Sequence, residues 1–281
     1  MAHAFKPPTQ LVFSGGGLRC FWQGGFLEVV CKEHEIAPKR VTGVSGGALS
    51  AVGFLSGREH DLYDEMCAAF EEQHRNHNAD SLFDEKEGGL TPHQEIYCEV
   101  VENAIDAEAE RRIADGPQLQ ILIAHPPASK APATTGAAMA MAYQTELYIK
   151  SSPHFGWAEK MGLTYSLVDA NKAAREGKLV HLVCAAATIP PVFKPPQWDD
   201  KPVIDGGMAD QAPMPDPDEG DTTILLTRRY RNLRNEDRLT YIAPSEATPA
   251  DKIDFTDPQK LRLTWEQGEA DARRWLDGKL D

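Results

Sequence analysis

The first apolar run of the chain, Leu11-Val12-Phe13, follows a short polar leader ending in Pro7-Pro8 and stops at Ser14-Gly15-Gly16-Gly17. Its length and sharp glycine boundary predict a strand. From Phe21 to His34 the apolar residues Phe26, Leu27, Val29, Val30 and Cys31 crowd onto a helical period. Pro38 breaks the chain, and a second strand is expected over Arg40 to Val44. It runs into Ser45-Gly46-Gly47 and then a helix, Ala48 to Leu55, closed by Gly57. Two successive strand–glycine turn–helix units predict a parallel α/β sheet.

From Arg58 to Gly116 the pattern is polar, charged and helical. Thr91-Pro92-His93-Gln94 reads as a helix start, with Thr91 as N-cap, proline in the first helical position and Gln94 closing a capping box. Ile96, Val100 and Ile105 form its apolar face. Further strands are expected at Leu119–Ala124, Leu147–Lys150, Leu179–Ala187, Val203–Asp205 and Thr223–Thr227. The Leu179 run is apolar throughout except for His181, as buried parallel strands are, which makes His181 a hydrogen-bonded core residue. Trp265 to Leu276 reads as an amphipathic helix without the strongly basic face of a membrane-surface helix, so it is expected to pack on the domain through Trp265, Ala272, Trp275 and Leu276. Phe21, Trp22 and Phe26 are expected in the core or a pocket wall. With no internal repeat and no linker, the expected organisation is a leader over residues 1–9 and one domain over 10–281.

Composition narrows the partners. The 281 residues carry 29 basic and 43 acidic side chains, a formal net charge of −14. Such a surface repels phosphate backbones, so no nucleic-acid partner is expected, and it disfavours polybasic adhesion to anionic lipid. No apolar run approaches the ~20 residues of a membrane span, which leaves at most transient membrane contact. Met1 to Gln10 lacks the features of a secretory signal. Cysteines 20, 31, 67, 98 and 184 are odd in number and form no CxxC pair, the pattern of reduced thiols in a cytoplasmic protein. His74 and His77, close to Glu71 and Glu72, sit in a charged stretch that reads as a solvated helix face, so no metal is expected there. The oligomeric state leaves no mark in the sequence.

Three segments carry chemistry. Gly43-Val44-Ser45-Gly46-Gly47 matches the GxSxG elbow, in which a serine on a strained strand-to-helix turn needs small neighbours and gains the positive end of the next helix. Gly15-Gly16-Gly17-Leu18-Arg19 ends the first strand. It reads either as a dinucleotide cradle or as an oxyanion hole. The cradle pattern lacks its last glycine, with Cys20 in its place, and leaves Ser45 idle. The oxyanion reading explains both glycine turns, because a parallel sheet puts them at one edge. Asp205-Gly206-Gly207 closes a short strand and places a carboxylate where it meets a hydroxyl at that edge. Histidines stand at 3, 34, 60, 74, 77, 93, 125, 154 and 181 and nowhere later. This excludes the α/β-hydrolase order of serine, acid and late histidine. A rearranged triad through His125 or His154 stays open.

Glycine loop, GxSxG serine and late Asp-Gly-Gly, in that order, resemble the patatin-like phospholipase family. So does Ala185-Ala186-Ala187-Thr188-Ile189-Pro190-Pro191-Val192-Phe193, which is similar to the segment that family carries before its aspartate. The resemblance covers Gln10–Gly57 and Leu179–Pro215 well and is loose elsewhere; Cys20 stands where the family loop has glycine. It implies a three-layer α/β/α domain with a mostly parallel sheet, acting as a lipid acyl hydrolase, a phospholipase, lysophospholipase or carboxylesterase. It further implies a Ser45–Asp205 dyad without histidine and an oxyanion hole from Gly16 and Gly17, with Gly15 and Gly46 as further donors. Its substrate would be a lipid or ester, and its acyl-enzyme chemistry requires no cofactor. Arg19 would orient the loop or meet an anionic head group. The competing readings are a catalytically silent acyl-chain-binding module and a nucleotide-binding α/β protein. The Pro126–Met141 segment, rich in Ala and Pro, is the expected flap.

Overall fold

The computed structural model describes residues 7–75, 92–127, 151–154, 160, 162–189, 195–252 and 257–280. Expectations for the Leu147–Lys150 strand, the Thr91 cap, His77, nearly all of the Pro126–Met141 flap and the Pro190–Phe193 part of the family segment lie outside these residues, as does the side chain of His74.

Strands β1 (Gln10–Phe13), β2 (Arg40–Val44), β3 (Gln118–His125) and β4 (Thr164–Asp169) are followed by three short strands and two longer ones. The short ones are β5 (Gln197–Trp198) and β6 (Lys201–Pro202), a separate ribbon, and β7 (Ile204–Asp205). Strands β8 (Thr222–Leu225) and β9 (Leu239–Ile242) complete the sheet, whose order is β4-β3-β2-β1-β8-β9 with β7 also on β3. The five strands from β3 to β9 in that order pair in parallel, while β4 and β7 run antiparallel to β3. The sheet is thus mostly parallel and flanked by helices.

The helices are α1 (Phe21–Glu33), α2 (Gly46–Ser56), α3 (Glu59–Arg75), α4 (Pro92–Ala104), α5 (Ala107–Asp115), α6 (Ala170–Arg175), α7 (Leu179–Ala186) and α8 (Pro258–Leu276). Each sends residues into one large core, joined there by Leu11 and Phe13 of β1 and by Leu119, Ile121 and Ile123 of β3. The alternate strand residues Val12, Ala124 and Ile224 point to the opposite face, into a smaller cluster with Met208, Ala212 and Tyr230. This is the period-two alternation of a sheet buried on both faces. Helix α8 packs along α1, with Trp22, Phe26 and Trp275 in ring contact and the Trp22 indole N–H donating to Asp271 at 3.0 Å. Trp22 and Phe26 are core residues, and Trp265 and Ala272 are buried as expected, with Trp275 and Leu276 partly so.

One expected strand is a helix. Leu179–Ala186 is α7, because a short continuous apolar run fits a buried strand and a buried helix equally well. Val180, His181 and Cys184 of this helix, with Ala187 just after it, are its more open positions, a pattern invisible when all but one are apolar. His181 accordingly is an exposed residue, stacked on Trp198 and bonded to the Gln197 carbonyl, not a core histidine.

Candidate active site

The register of β3 explains how Ser45 and Asp205 meet. Strand β2 runs beside β3 up to the pair Val44–Leu122. There the chain leaves the sheet, and the next position along β3, Ile123, pairs with Asp205 from the oppositely directed β7. The two strands therefore abut end to end, with Ser45 leaving one tip and Asp205 arriving at the other. A side chain at Gly206 would stand 2.1 Å from the Leu122 carbonyl, so only glycine lets the chain turn away at this point. Ser45 Oγ donates to Asp205 Oδ2 at 2.8 Å, and Asp205 Oδ1 accepts the Gly207 amide at 2.7 Å. Both residues are buried.

Ser45 has φ 55° and ψ −134°, a conformation that non-glycine residues rarely adopt. It is the strained turn the GxSxG spacing predicts, and it sets the hydroxyl at the N-terminus of α2. The glycine loop after β1 lies against this elbow: a side chain at Gly46 would meet the Gly17 carbonyl at 2.5 Å and Cys20 Sγ at 3.1 Å. Residues behind hold the loop in place. Thr227 Oγ1 donates to the Gly15 carbonyl at 2.7 Å, and Gln23 Nε2 donates to the Ser14 and Leu225 carbonyls. The Leu18 amide donates to the Lys252 carbonyl at 3.3 Å.

The four glycines differ in what their amides do. Gly15 donates to the Gln211 carbonyl at 2.8 Å, so its N–H is taken up by the scaffold. Among the described residues no acceptor takes the amides of Gly16, Gly17 or Gly46; Gly46 opens α2 and Gly17 opens the 3-10 turn Gly17–Cys20 before α1, where N–H groups have no intrahelical partner. Arg19 Nε donates to the Gly16 carbonyl at 3.2 Å, and its side chain is absent from the cavity wall. This contact braces the loop.

Burial pushes the Asp205 carboxyl above its ordinary value of 3.8, while the charge of Lys252, the Ser45 hydroxyl and the Gly207 amide oppose that shift. Burial likewise pushes the Cys20 thiol up to about 12, keeping it protonated beside the serine. Neither open histidine reaches Ser45. His125 stands 3.2 Å from the Pro202 carbonyl and 3.1 Å from Ser166 Oγ, and His154 pairs with Asp210 at 2.9 Å.

Ser45 opens into a cavity of about 610 Å³, a common size for small-molecule sites. Its wall is mostly apolar, including Leu49, Leu62, Met66, Val180 and Trp265. Tyr97, Cys98, Cys184 and Lys252 also face it, and none of these four was marked by motif. Tyr97 and Cys98 lie on α4 beside Ile96 and Val100 but outside the apolar face read from the sequence, Cys184 lies in the apolar run expected as a strand, and Lys252 lies beyond every motif. Cys20, the residue replacing glycine in the loop, and Phe21, expected in the core or a pocket wall, also line it.

The sequence profile described as patatin-like phospholipase matches residues 11–217, most of the chain. The chain belongs to the patatin-like phospholipase family. The matched span of this patatin-like protein contains the glycine loop, the elbow and Asp205; Lys252 and α8 lie beyond it. Among solved structures, the crystal structure of VipD from Legionella pneumophila aligns with 98% of this chain and 67% of its own, at 12% identity and a TM-score of 0.50. At that identity the likeness concerns the fold alone. No curated protein matches the patatin-like chain. Among the described residues, no helix is long and apolar enough to cross a membrane.

Proposed function

We propose that the protein is a serine acyl hydrolase that cleaves lipid or other carboxylic esters through a Ser45–Asp205 dyad. The observation that carries this reading is the 2.8 Å bond from Ser45 Oγ to a buried carboxylate, made from a strained elbow beside a loop whose Gly16 and Gly17 amides have no acceptor among the described residues. In the proposed reaction Asp205 accepts the Ser45 proton as Oγ attacks the ester carbonyl. Desolvation makes this carboxylate a stronger base than one in water, and the Gly207 amide holds it in place. The tetrahedral oxyanion would be met by the amides of Gly16, Gly17 and Gly46, whose alignment at the start of α2 and the preceding turn favours developing negative charge. Asp205 then returns the proton to the departing alkoxide, leaving an acyl-enzyme at Ser45. Water attacks that ester with Asp205 again as base, and Asp205 passes the proton to the departing Ser45 Oγ, releasing the acid and restoring the dyad.

The apolar cavity suits an acyl chain, and the family membership supports a lipid substrate. Free cysteines at all five positions suit a reducing cytoplasmic setting. The test is hydrolysis of p-nitrophenyl acyl esters by the wild type, Ser45→Ala, Asp205→Asn and His125→Ala. The dyad predicts that the first two variants lose turnover and the third keeps it. Loss with His125→Ala would restore the triad, and an inactive wild type would favour the silent binding module.

A further inference from the structure

Helices α4 and α7 meet along one wall of the cavity. Gln94 and Cys98 lie one turn apart on α4, the spacing that puts two side chains on one helix face. Gln94 Nε2 donates to the Ile189 carbonyl, just beyond α7, at 3.5 Å, and the thiols of Cys98 and Cys184 are hydrogen-bonded to each other. Both cysteines line the cavity and neither is fully buried. The remaining thiols are placed differently. Cys20, also in this cavity, donates to the Ser14 carbonyl at 3.5 Å, Cys67 is hydrogen-bonded to Tyr63, and Cys31 is exposed on α1 outside the cavity wall. Among the described residues, Cys98 and Cys184 are thus the one pair of thiols in mutual contact. Their hydrogen bond, together with burial, holds the Cys184 thiol above its ordinary value of 9.0, so Cys184 keeps its proton and shares it with Cys98. Cys98 is accordingly the sulfur left to meet an electrophile.

A hydroperoxide reaching this pair has a complete reaction open to it. Oxygen transfer converts the Cys98 thiol to a sulfenic acid and reduces the hydroperoxide to water, or to an alcohol if it is organic. The Cys184 sulfur then attacks the Cys98 sulfur: the S–S bond forms, the S–O bond breaks, and the oxygen leaves as water with the Cys184 proton. Closure brings the two sulfurs from hydrogen-bond contact to about 2 Å. We propose that Cys98 and Cys184 form a peroxide-sensitive dithiol whose disulfide ties α4 to α7 in the cavity wall and shuts down turnover. Transient, redox-sensing bonds are the kind a reducing compartment allows. The staple reaches the site by a short route. Thr188 Oγ1 donates to the Cys184 carbonyl at 3.2 Å, and the Asp205 amide donates to the Thr188 carbonyl at 2.7 Å. Control of turnover rests on the reading of Asp205 as the base; formation of the bond does not.

The experiment exposes the reduced protein to hydrogen peroxide and follows intact mass and peptide maps of wild type, Cys98→Ser and Cys184→Ser. Wild type loses two hydrogens, about 2 Da, in a bond within the chain that maps to Cys98 and Cys184 and is reversed by dithiothreitol. Cys98→Ser forms no such bond, and Cys184→Ser accumulates a Cys98 sulfenic acid that dimedone traps. Absence of the bond in wild type, a bond to Cys20, a bond between chains, or passage of Cys98 straight to the sulfinic acid overturns the proposal. In parallel, turnover of p-nitrophenyl octanoate is lost in oxidised wild type and recovered on reduction, while Cys98→Ser holds through the same treatment the rate it began with. A mapped disulfide with undiminished turnover overturns the control of the site. In a protein that hydrolyses no ester, the dyad reading fails and the mass and map still decide the bond.

Discussion

Gly206→Ala probes the junction on which the dyad depends. The added methyl carbon would lie 2.1 Å from the Leu122 carbonyl oxygen of β3, well inside the 3.0 Å that such atoms require. Leu122 is paired into the sheet with Val44 of β2, so the relief must come from β7 and its turn. The required opening is about 1 Å, and a misplacement of that size costs on the order of 100-fold in rate. It acts directly on Asp205, the neighbouring residue, and so on the 2.8 Å bond to Ser45. Overpacking of this kind costs about 1–3 kcal/mol of stability, small enough to leave the chain folded. The matched control is Gly278→Ala, at φ 69° with nothing within 4 Å, which carries backbone strain without a clash. The assay is kcat/KM on p-nitrophenyl butyrate at a temperature below both melting transitions. A Gly206→Ala rate within about twofold of wild type, where a 1 Å shift should cost far more, would refute the abutting-strand argument. Equal inactivation by Gly278→Ala would do the same.

Other substitutions separate chemistry from scaffold. Because burial raises the Asp205 carboxyl above 3.8 and the reaction needs it ionised, the acid limb of kcat/KM lies above pH 3.8. The same shift has a stability sign: the folded state favours the protonated acid, so wild type loses stability as pH rises from the unfolded value through the folded one. Asp205→Asn, which does not titrate, therefore gains in melting temperature over wild type across that window and keeps the gain at neutral pH; a constant difference from acid to neutral pH would contradict this. Thr227→Val removes the hydroxyl that braces the Gly15 carbonyl, and is expected to cost about 1 kcal/mol in a melt and to lower kcat more than it raises KM. Asp271→Ala strands the buried Trp22 N–H and the Ser245 amide, which costs about 2–4 kcal/mol in denaturant unfolding. The per-site turnover of the folded Asp271 variant stays at the wild-type level.

The elements that position the site were legible because short strands with glycine boundaries leave few alternatives. Leu11–Phe13, Arg40–Val44 and the helices after them lie within a residue or two of their expected places. Leu179–Ala186 was not legible, since its apolar residues carry no period and its one polar residue, His181, faces out of the helix. The meeting of Ser45 and Asp205 was suggested by their order along the chain, but its cause was not. It lies in β3, whose position 123 follows the end of β2 and pairs with β7, and antiparallel pairing of a two-residue strand leaves no pattern. Nor did the sequence show that the Gly15 amide is held by Gln211, a contact between residues nearly two hundred positions apart. Tyr97 carried no signal of its own, since nothing in the pattern of α4 marks which of its residues reach the cavity.

The central claim is that Ser45 is a nucleophile activated by Asp205 alone. Its most direct test is intact-mass analysis of the protein after exposure to a fluorophosphonate, on wild type, Ser45→Ala and Asp205→Asn. The expected result is one adduct per wild-type chain, mapped to Ser45, none on Ser45→Ala, and labelling of Asp205→Asn slowed by on the order of 100-fold or more. An adduct elsewhere, or equally fast labelling of Asp205→Asn, would contradict it.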